Sequence, residues 1–270
     1  MIRRPAGQDF LLITQTDHAR LSGFLAKHIG NKQFTAPSDE AVAAIAAHDA
    51  GWPLHDENPT LNPAGLPLHV FEMPPSWSTR IWTASAERAV EPGPYAALLV
   101  SLHQLALSAL AERPRQAGPR DVFELNKFQH RQIERQEALR KQLGMRTDIP
   151  LTLGLAKPRI DVAEDTLRHH FRLLTLCDRL SLELCCGQPL FERVEEVPPS
   201  PTVDAISIQM DLRNSTTLNL SPWPFDNEVL SSEIPFRRIP ATPFSSEDAF
   251  RAAYGAAEPE SLRLELRRVG

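Results

Sequence analysis

The segment from Val162 to Cys186 reads VAEDTLRHHFRLLTLCDRLSLELCC, and its periodicity decides how the chain is read. Leu167, Phe171, Leu174, Asp178, Ser181 and Cys185 recur at three- and four-residue spacings, which places them on one face of a predicted helix. That face is apolar on either side of Asp178, so the carboxylate points inward with the core residues. Desolvating an unpaired carboxylate costs several kcal/mol or forces it to neutralise. An inward Asp178 therefore calls for a metal ion, another cation or a dense set of hydrogen bonds.

Partners of the right kind lie upstream. His18 shares a predicted helical stripe with Leu21, Leu25 and His28, and the adjacent pair His48-Asp49 follows Ala41, Val42 and Ile45 on another. Neighbours on a helix diverge by about 100 degrees, so both members of the pair can reach an ion placed between their directions. Imidazole and carboxylate suit Mn, Fe, Co, Ni or Zn alike. The blander alternative makes His48 a hydrogen-bonded core histidine and Asp49 a helix-end anion. His103 lies on the stripe Leu99, His103, Ala106, Leu110 and also faces the core, as a second-metal or substrate-phosphate ligand or as a satisfied core histidine. His169-His170, flanked by Arg168 and Arg172, is expected on a solvated face, and His130 is expected to be exposed.

The order His18, His48-Asp49, Asp178 resembles the H...HD...D signature of the HD-domain superfamily of metal-dependent phosphohydrolases. Ala46-Ala47-His48-Asp49-Ala50-Gly51-Trp52 is similar to that superfamily's HD step, and Leu176-Cys177-Asp178-Arg179-Leu180 to its terminal Asp-Arg-Leu. More narrowly, His48-Asp49-Ala50-Gly51-Trp52 and Leu99-Val100-Ser101-Leu102-His103 resemble a bacterial family catalogued only as domain of unknown function 3891. The broader resemblance implies a helical fold and hydrolysis of a phosphoester or nucleotide by metal-activated water. It implies His18, His48, Asp49 and Asp178 as ligands of one ion, with His103 available for a second.

The rest of the chain is organised around this set. Helices are predicted over Thr16 to Ile29, Ser38 to Ala50, Ser78 to Ala89, Pro94 to Arg113, Asp121 to Leu143 and Val162 to Cys186, the last with Asp161 as N-cap. Beyond Gly187 the period becomes two, in Ala205 to Leu212, Thr217 to Leu220 and Leu262 to Leu266, with Val229 to Ile239 a further strand and Ser246 to Tyr254 a short helix. Eight of the prolines fall between Val194 and Phe244, which excludes a long helix there. The expected fold is thus mainly α, an HD-like helical bundle, with a small C-terminal antiparallel β-sheet that Phe10 to Thr14 could join, α+β overall. The expected division is a helical metal-binding domain over 1–190 and a β-rich region over 191–270 packed on it.

A net charge of −5 argues against a general nucleic-acid or anionic-membrane binder. The apolar run Phe10 to Ile13 is too short for a signal-peptide core, and no segment is long enough to span a membrane. Cys177, Cys185 and Cys186 share one predicted helix, which disfavours a disulfide framework and points to the cytoplasm. There is no phosphate loop of the GxxxxGK[ST] type, no GxGxxG turn, no HExxH and no GxSxG. Next to the HD pair, Trp52 and Asp56 would rim a site, Asp56 as a carboxylate able to position or deprotonate water. With Asp49 and His103, it completes the candidate catalytic groups. Arg20, Lys127, Arg131 and Arg179 are candidate ligands for a small phosphorylated substrate. The leading expectation is a metal-dependent phosphohydrolase. The alternatives are an HD-like iron-binding oxygenase or metal sensor, and a non-catalytic interaction module presenting an edge of the C-terminal sheet.

Overall fold

A computed structural model describes residues 1–111, 118–147 and 162–269 of the 270-residue chain. Asp161, the expected N-cap, lies outside the described residues. The N-terminal hairpin β1 (Ile2–Ala6) and β2 (Asp9–Ile13) leads into α1 (Gln15–Lys27), then α2 (Asp39–Ala47) and the short α3 (Pro53–Asp56). A 3-10 turn (Val70–Glu72) precedes α4 (Pro75–Arg88), α5 (Pro94–Ala111), α6 (Pro119–Gln142) and α7 (Val162–Cys186). The remainder is β3 (Arg193–Val197), β4 (Ile206–Asn214), β5 (Thr217–Ser221), β6 (Val229–Pro240), α8 (Glu247–Ala256) and β7 (Pro259–Arg268).

The helical bundle with a small C-terminal antiparallel sheet is corrected by the strands. They form one curled sheet of seven, in the order β1-β2-β6-β7-β5-β4-β3. The sheet draws on both ends of the chain and is mixed, because β5 runs parallel to β7 while every other pair is antiparallel. Helices and sheet therefore share the fold, and a mainly α description fails. The physical reason is the pairing of β2 with β6, Leu12 opposite Arg237 and Phe10 opposite Ile239, which joins the N-terminal hairpin to the C-terminal strands.

The sheet is apolar on one side. In β4 Ile208 and Met210 are buried between exposed neighbours, and in β7 Leu264 and Leu266 alternate with Arg263, Glu265 and Arg267. Such alternation marks a sheet with one face on the core and one in water. The inner face continues into the main core, which includes Leu21 and Leu25 of α1, Ile45 of α2, Leu99 of α5, and Leu174 and Leu184 of α7. On the far side Phe250 of α8 covers Met1, Leu12 and Ile239. Arg4 of β1 is buried and donates to the Leu184 carbonyl oxygen at 2.6 Å and to that of Ser215, so it satisfies a carbonyl left open at the C-terminus of α7.

Among the described residues no helix is long and apolar enough to cross a membrane. All three cysteines are buried and free.

Gly51 lets α4 approach the end of α2. Its N–H donates to Ser85 Oγ at 2.9 Å, and a Cβ there would fall against the Ile81 carbonyl oxygen and 2.6 Å from the Ser85 amide nitrogen. Gly51→Ala is expected to lower unfolding stability by about 2 to 3 kcal/mol through overpacking. Gly144→Ala, at φ 68° with nothing within 4 Å of the added carbon, should cost only about 1 kcal/mol of backbone strain. Urea unfolding of the two variants beside wild type checks the difference; equal losses would contradict the steric account.

Candidate metal centre

Four elements deliver the polar cluster. Thr14 caps α1 by accepting from Asp17 N–H, and the helix then presents Gln15, His18 and Ser22 along one side. Helix α2 stops at Ala47, so His48 and Asp49 stand at its C-terminal turn, where Gln104 of α5 donates from Nε2 to the His48 carbonyl oxygen at 2.7 Å. Helix α5 supplies His103 and α7 supplies Asp178 and Ser181. His18, His48, Asp49, His103, Asp178 and Ser181 are all buried residues, none more than 7% exposed.

His18 Nε2 lies 3.0 Å from Asp178 Oδ1 and 4.0 Å from Asp49 Oδ2. His48 Nε2 lies 3.5 Å from each of Asp178 Oδ1 and Asp49 Oδ2. Ligand bonds of about 2.1 Å put donor atoms about 3.0 Å apart when adjacent and about 4.2 Å apart when opposite, so separations of 3.0 to 4.0 Å lie within the spread of donors around one ion. His103 Nε2 stands further out, 3.8 Å from Asp178 Oδ2. The histidine and aspartate donors therefore fit a metal ion.

Hydrogen bonds on the far side of each ring fix its orientation. His48 Nδ1–H donates to the Ile45 carbonyl oxygen at 2.8 Å, so in the neutral ring Nε2 is a buried lone pair with no hydrogen-bond partner. His18 Nδ1 lies 2.7 Å from Ser181 Oγ, which lies 3.1 Å from the Asp178 carbonyl oxygen. The His18 proton position follows the Ser181 hydroxyl, which also lies 2.7 Å from Ser22 Oγ: with Nδ1–H donating to Ser181, the Nε2 lone pair faces Asp178 and suits a metal ion, and with Nε2–H the ring donates to Asp178 Oδ1 at 3.0 Å. His103 Nε2 is likewise buried without a partner.

Charge follows the same logic. Burial alone would depress the His48 imidazole, but the Asp49 and Asp178 carboxylates outweigh it and raise it to about 9. Burial works against the Asp178 anion as well, yet His18, His48 and His103 hold its carboxyl well below the usual range. Asp49 is pushed up by burial, and burial drops His103 to about 3, so it is neutral at pH 7. Without an ion, a protonated His48 balances the anions.

The cluster forms the floor of a cleft of about 200 Å³. Trp52, Val70, Phe71 and Met73 wall it on one side and Trp82, Leu107 and Leu182 on the other, with Gln15 and Ser78 as further polar groups. None of its described lining residues is Lys or Arg.

Of the residues singled out from sequence, His18, Asp49, His103 and Asp178 line the floor, His48 is fully buried beside it with Nε2 3.5 Å from Asp49 and Asp178, and Trp52 lines the wall. Asp56 is not among the lining residues: it pairs with the Met1 ammonium at 3.2 Å and accepts the Gln15 backbone N–H at 2.8 Å. Arg20 is exposed and pairs with Asp17 at 2.9 Å. Lys127 and Arg131 line a separate groove on α6 with Arg80 and Glu124. Arg179 stacks its guanidinium 5.4 Å from the Phe191 ring, although its charge is felt at His103. His130 is exposed. His169 and His170 are buried, not solvated, because their helix face packs under Pro198 and Tyr95, to which they hydrogen-bond. Gln15, Ser78, Trp82 and Leu107 escaped sequence reading. For Gln15 the available signal was its place one helical turn before His18.

No curated protein and no solved structure matches the chain. A family model described as "Protein of unknown function (DUF3891)" matches residues 1–241, a span that holds every side chain of the cluster and its cleft. The chain belongs to that family.

Proposed function

We propose that the protein is a metal-dependent phosphohydrolase of the HD type, its ion held by His18, His48, Asp49 and Asp178. The observation that carries this is the convergence of two imidazoles and two carboxylates from three separate segments, with His18, Asp49 and Asp178 lining an open cleft and His48 buried beside them. Their order along the chain, similar to the H...HD...D signature, supports the same reading. One ion is proposed. The sets His18-His48-Asp49 and His48-His103-Asp178 both require His48 Nε2, and that nitrogen has a single lone pair.

When bound, a divalent Mn, Fe, Co, Ni or Zn ion acidifies a water and polarises a phosphoryl oxygen. Asp49 and Asp178 supply the negative charge that retains it. Ser181 and the Ile45 carbonyl oxygen hold the two imidazoles with Nε2 inward. His103, neutral and unpartnered at Nε2, is placed to take a proton from water or to stabilise a phosphoryl oxygen, according to its tautomer. Trp52, Trp82 and Leu107 exclude bulk water above the floor. The iron-oxygenase reading is the second one, favoured by one observation: a cleft with apolar walls and no lining Lys or Arg suits a substrate without phosphate charge.

Element-resolved analysis of protein purified without chelator should find a first-row divalent metal near one per chain. Asp178→Asn should lose at least about 100-fold in metal affinity, since changing even an outer partner of a ligand costs about 10- to 100-fold. Unchanged occupancy in a folded Asp178→Asn protein would remove Asp178 from the ligand set. On the loaded protein, a phosphoester panel beside an oxygen electrode separates hydrolase from oxygenase.

His103→Ala is expected to keep its metal and lose about 100-fold in turnover, the low end of general acid–base contributions. Wild-type turnover would leave His103 structural.

Metal uptake should also release protons. Below about pH 9 the raised His48 is protonated in the ion-free protein and must give up its proton to ligate. Apparent affinity should therefore climb about tenfold per pH unit from pH 6 to 8 and flatten above pH 9. Calorimetry in buffers of differing ionisation heat measures the release, and a pH-independent affinity would count against His48 as ligand.

A further inference from the structure

Resting on the metal-site reading above, we infer that the cleft takes a compact, mainly apolar molecule whose one charged or strongly polar group meets the metal, and that a nucleotide is not its substrate. Three observations converge on this class.

The first is size. At about 200 Å³ the cleft falls below the range of about 300–1,000 Å³ usual for ligand pockets, so a base, a sugar and a phosphate together would extend beyond its walls.

The second is charge. Phosphate-rich ligands are held by guanidinium forks, ammonium groups or helix N-termini. The described lining contains no Lys or Arg, and the basic side chains nearest in sequence to the ligands, Arg20 and Arg179, are engaged with Asp17 and with the Phe191 ring. A divalent ion beside Asp49 and Asp178 carries no net surplus of positive charge, so one polar or anionic group is held by coordination and further phosphates meet no cation in the lining.

The third is the pattern of polar atoms above the floor. Gln15 is 2% exposed and lines the cleft, and its Oε1 is buried with no hydrogen-bond partner. It stands one helical turn before His18 on the same side of α1, next to the cluster. An unmet buried acceptor is unfavourable, and a hydroxyl or N–H on the bound molecule answers it. Trp52, Trp82, Leu107 and Leu182 then pack the remainder of the ligand.

Calorimetric titration with defined probes tests the inference. Metal-loaded protein should bind phenylphosphonate at least about tenfold tighter than methylphosphonate, the gain from burying a phenyl ring, and adenosine 5′-monophosphate no tighter than methylphosphonate. Metal-free protein should bind phenol about fivefold tighter than toluene through Gln15, and Gln15→Leu should erase that preference without changing metal content. Leu107→Trp, at a half-buried wall position, should fill the cleft and abolish phenylphosphonate binding with the metal retained. Adenosine monophosphate binding more tightly than phenylphosphonate, or metal-free protein that fails to distinguish phenol from toluene, would overturn the inference. Failure to take up any divalent metal would instead remove the function proposed above, and the phenol and toluene titrations would still decide the character of the cleft.

Discussion

Two carboxylates and three imidazoles withdrawn from water in two triads that share His48 set the terms for the rest of this molecule. Removing one partner from a buried charged set costs about 3 to 5 kcal/mol, so each donor must be held where its partners need it. The cluster achieves this by tying the outer atom of a ring or the backbone beside it to a fixed group. His48 is anchored by the Ile45 and Gln104 contacts, and His18 by Ser181, which itself lies 2.7 Å from Ser22. Ser22 and Ser181 are fully buried polar residues in an otherwise apolar helix contact, and their role is to complete the hydrogen bonding behind His18. The price of gathering this charge is a short run of buried polar side chains between α1 and α7.

Much of the helical part was legible because burial imposes a period. Val162–Cys186 emerges with the bounds its stripe implied, and the inward stripes hold for His18, Leu21 and Leu25 of α1, Ala41 and Ile45 of α2, and Leu99 and His103 of α5, while His28 and Leu110 at the helix ends reach solvent. The sheet was underestimated for equally physical reasons. Strand β1 contains Arg3, Arg4 and Pro5, and β3 reads Arg-Val-Glu-Glu-Val, so neither shows the apolar alternation that betrays a strand. The parallel pairing of β5 with β7 depends on the intervening β6 and α8, a long-range arrangement with no local signature. Alternation reveals that a strand has two different faces, but not which strand lies beside it.

The candidate site divides along the same line. Donor residues were visible because a polar side chain on an apolar stripe is conspicuous. The cations were misleading because nearness in sequence is a poor guide to direction on a helix. Arg20, two positions past His18, is rotated about 200 degrees away, and Arg179 about 100 degrees from Asp178. His48 and Asp49 converge despite adjacency because α2 ends at Ala47 and the chain turns there. The apolar wall was hidden in the proline-rich stretch from Trp52 to Trp77, whose length alone marked it as unusual. That stretch supplies Trp52, Val70, Phe71 and Met73 without any periodic pattern.

Strand β1 is where the sheet and the site become one structure. Successive residues of a strand point to opposite faces. Arg4 turns inward to the carbonyl of Leu184 at the end of α7, the helix that carries Asp178. Arg3 turns the other way, donating to the Pro67 carbonyl oxygen at 2.6 Å and pairing with Glu72 at 3.0 Å, while the Met1 carbonyl oxygen accepts from Val70 N–H. One short strand thus fixes the helix bearing a ligand of the floor and the segment forming a wall above it. Its partner β2 runs directly into Thr14 and α1, which brings His18 and Gln15. The N-terminal hairpin that extends the sheet therefore sets the distance between the histidine and aspartate cluster and the cleft wall, and this gives a strand so polar in sequence its place at the edge of the sheet.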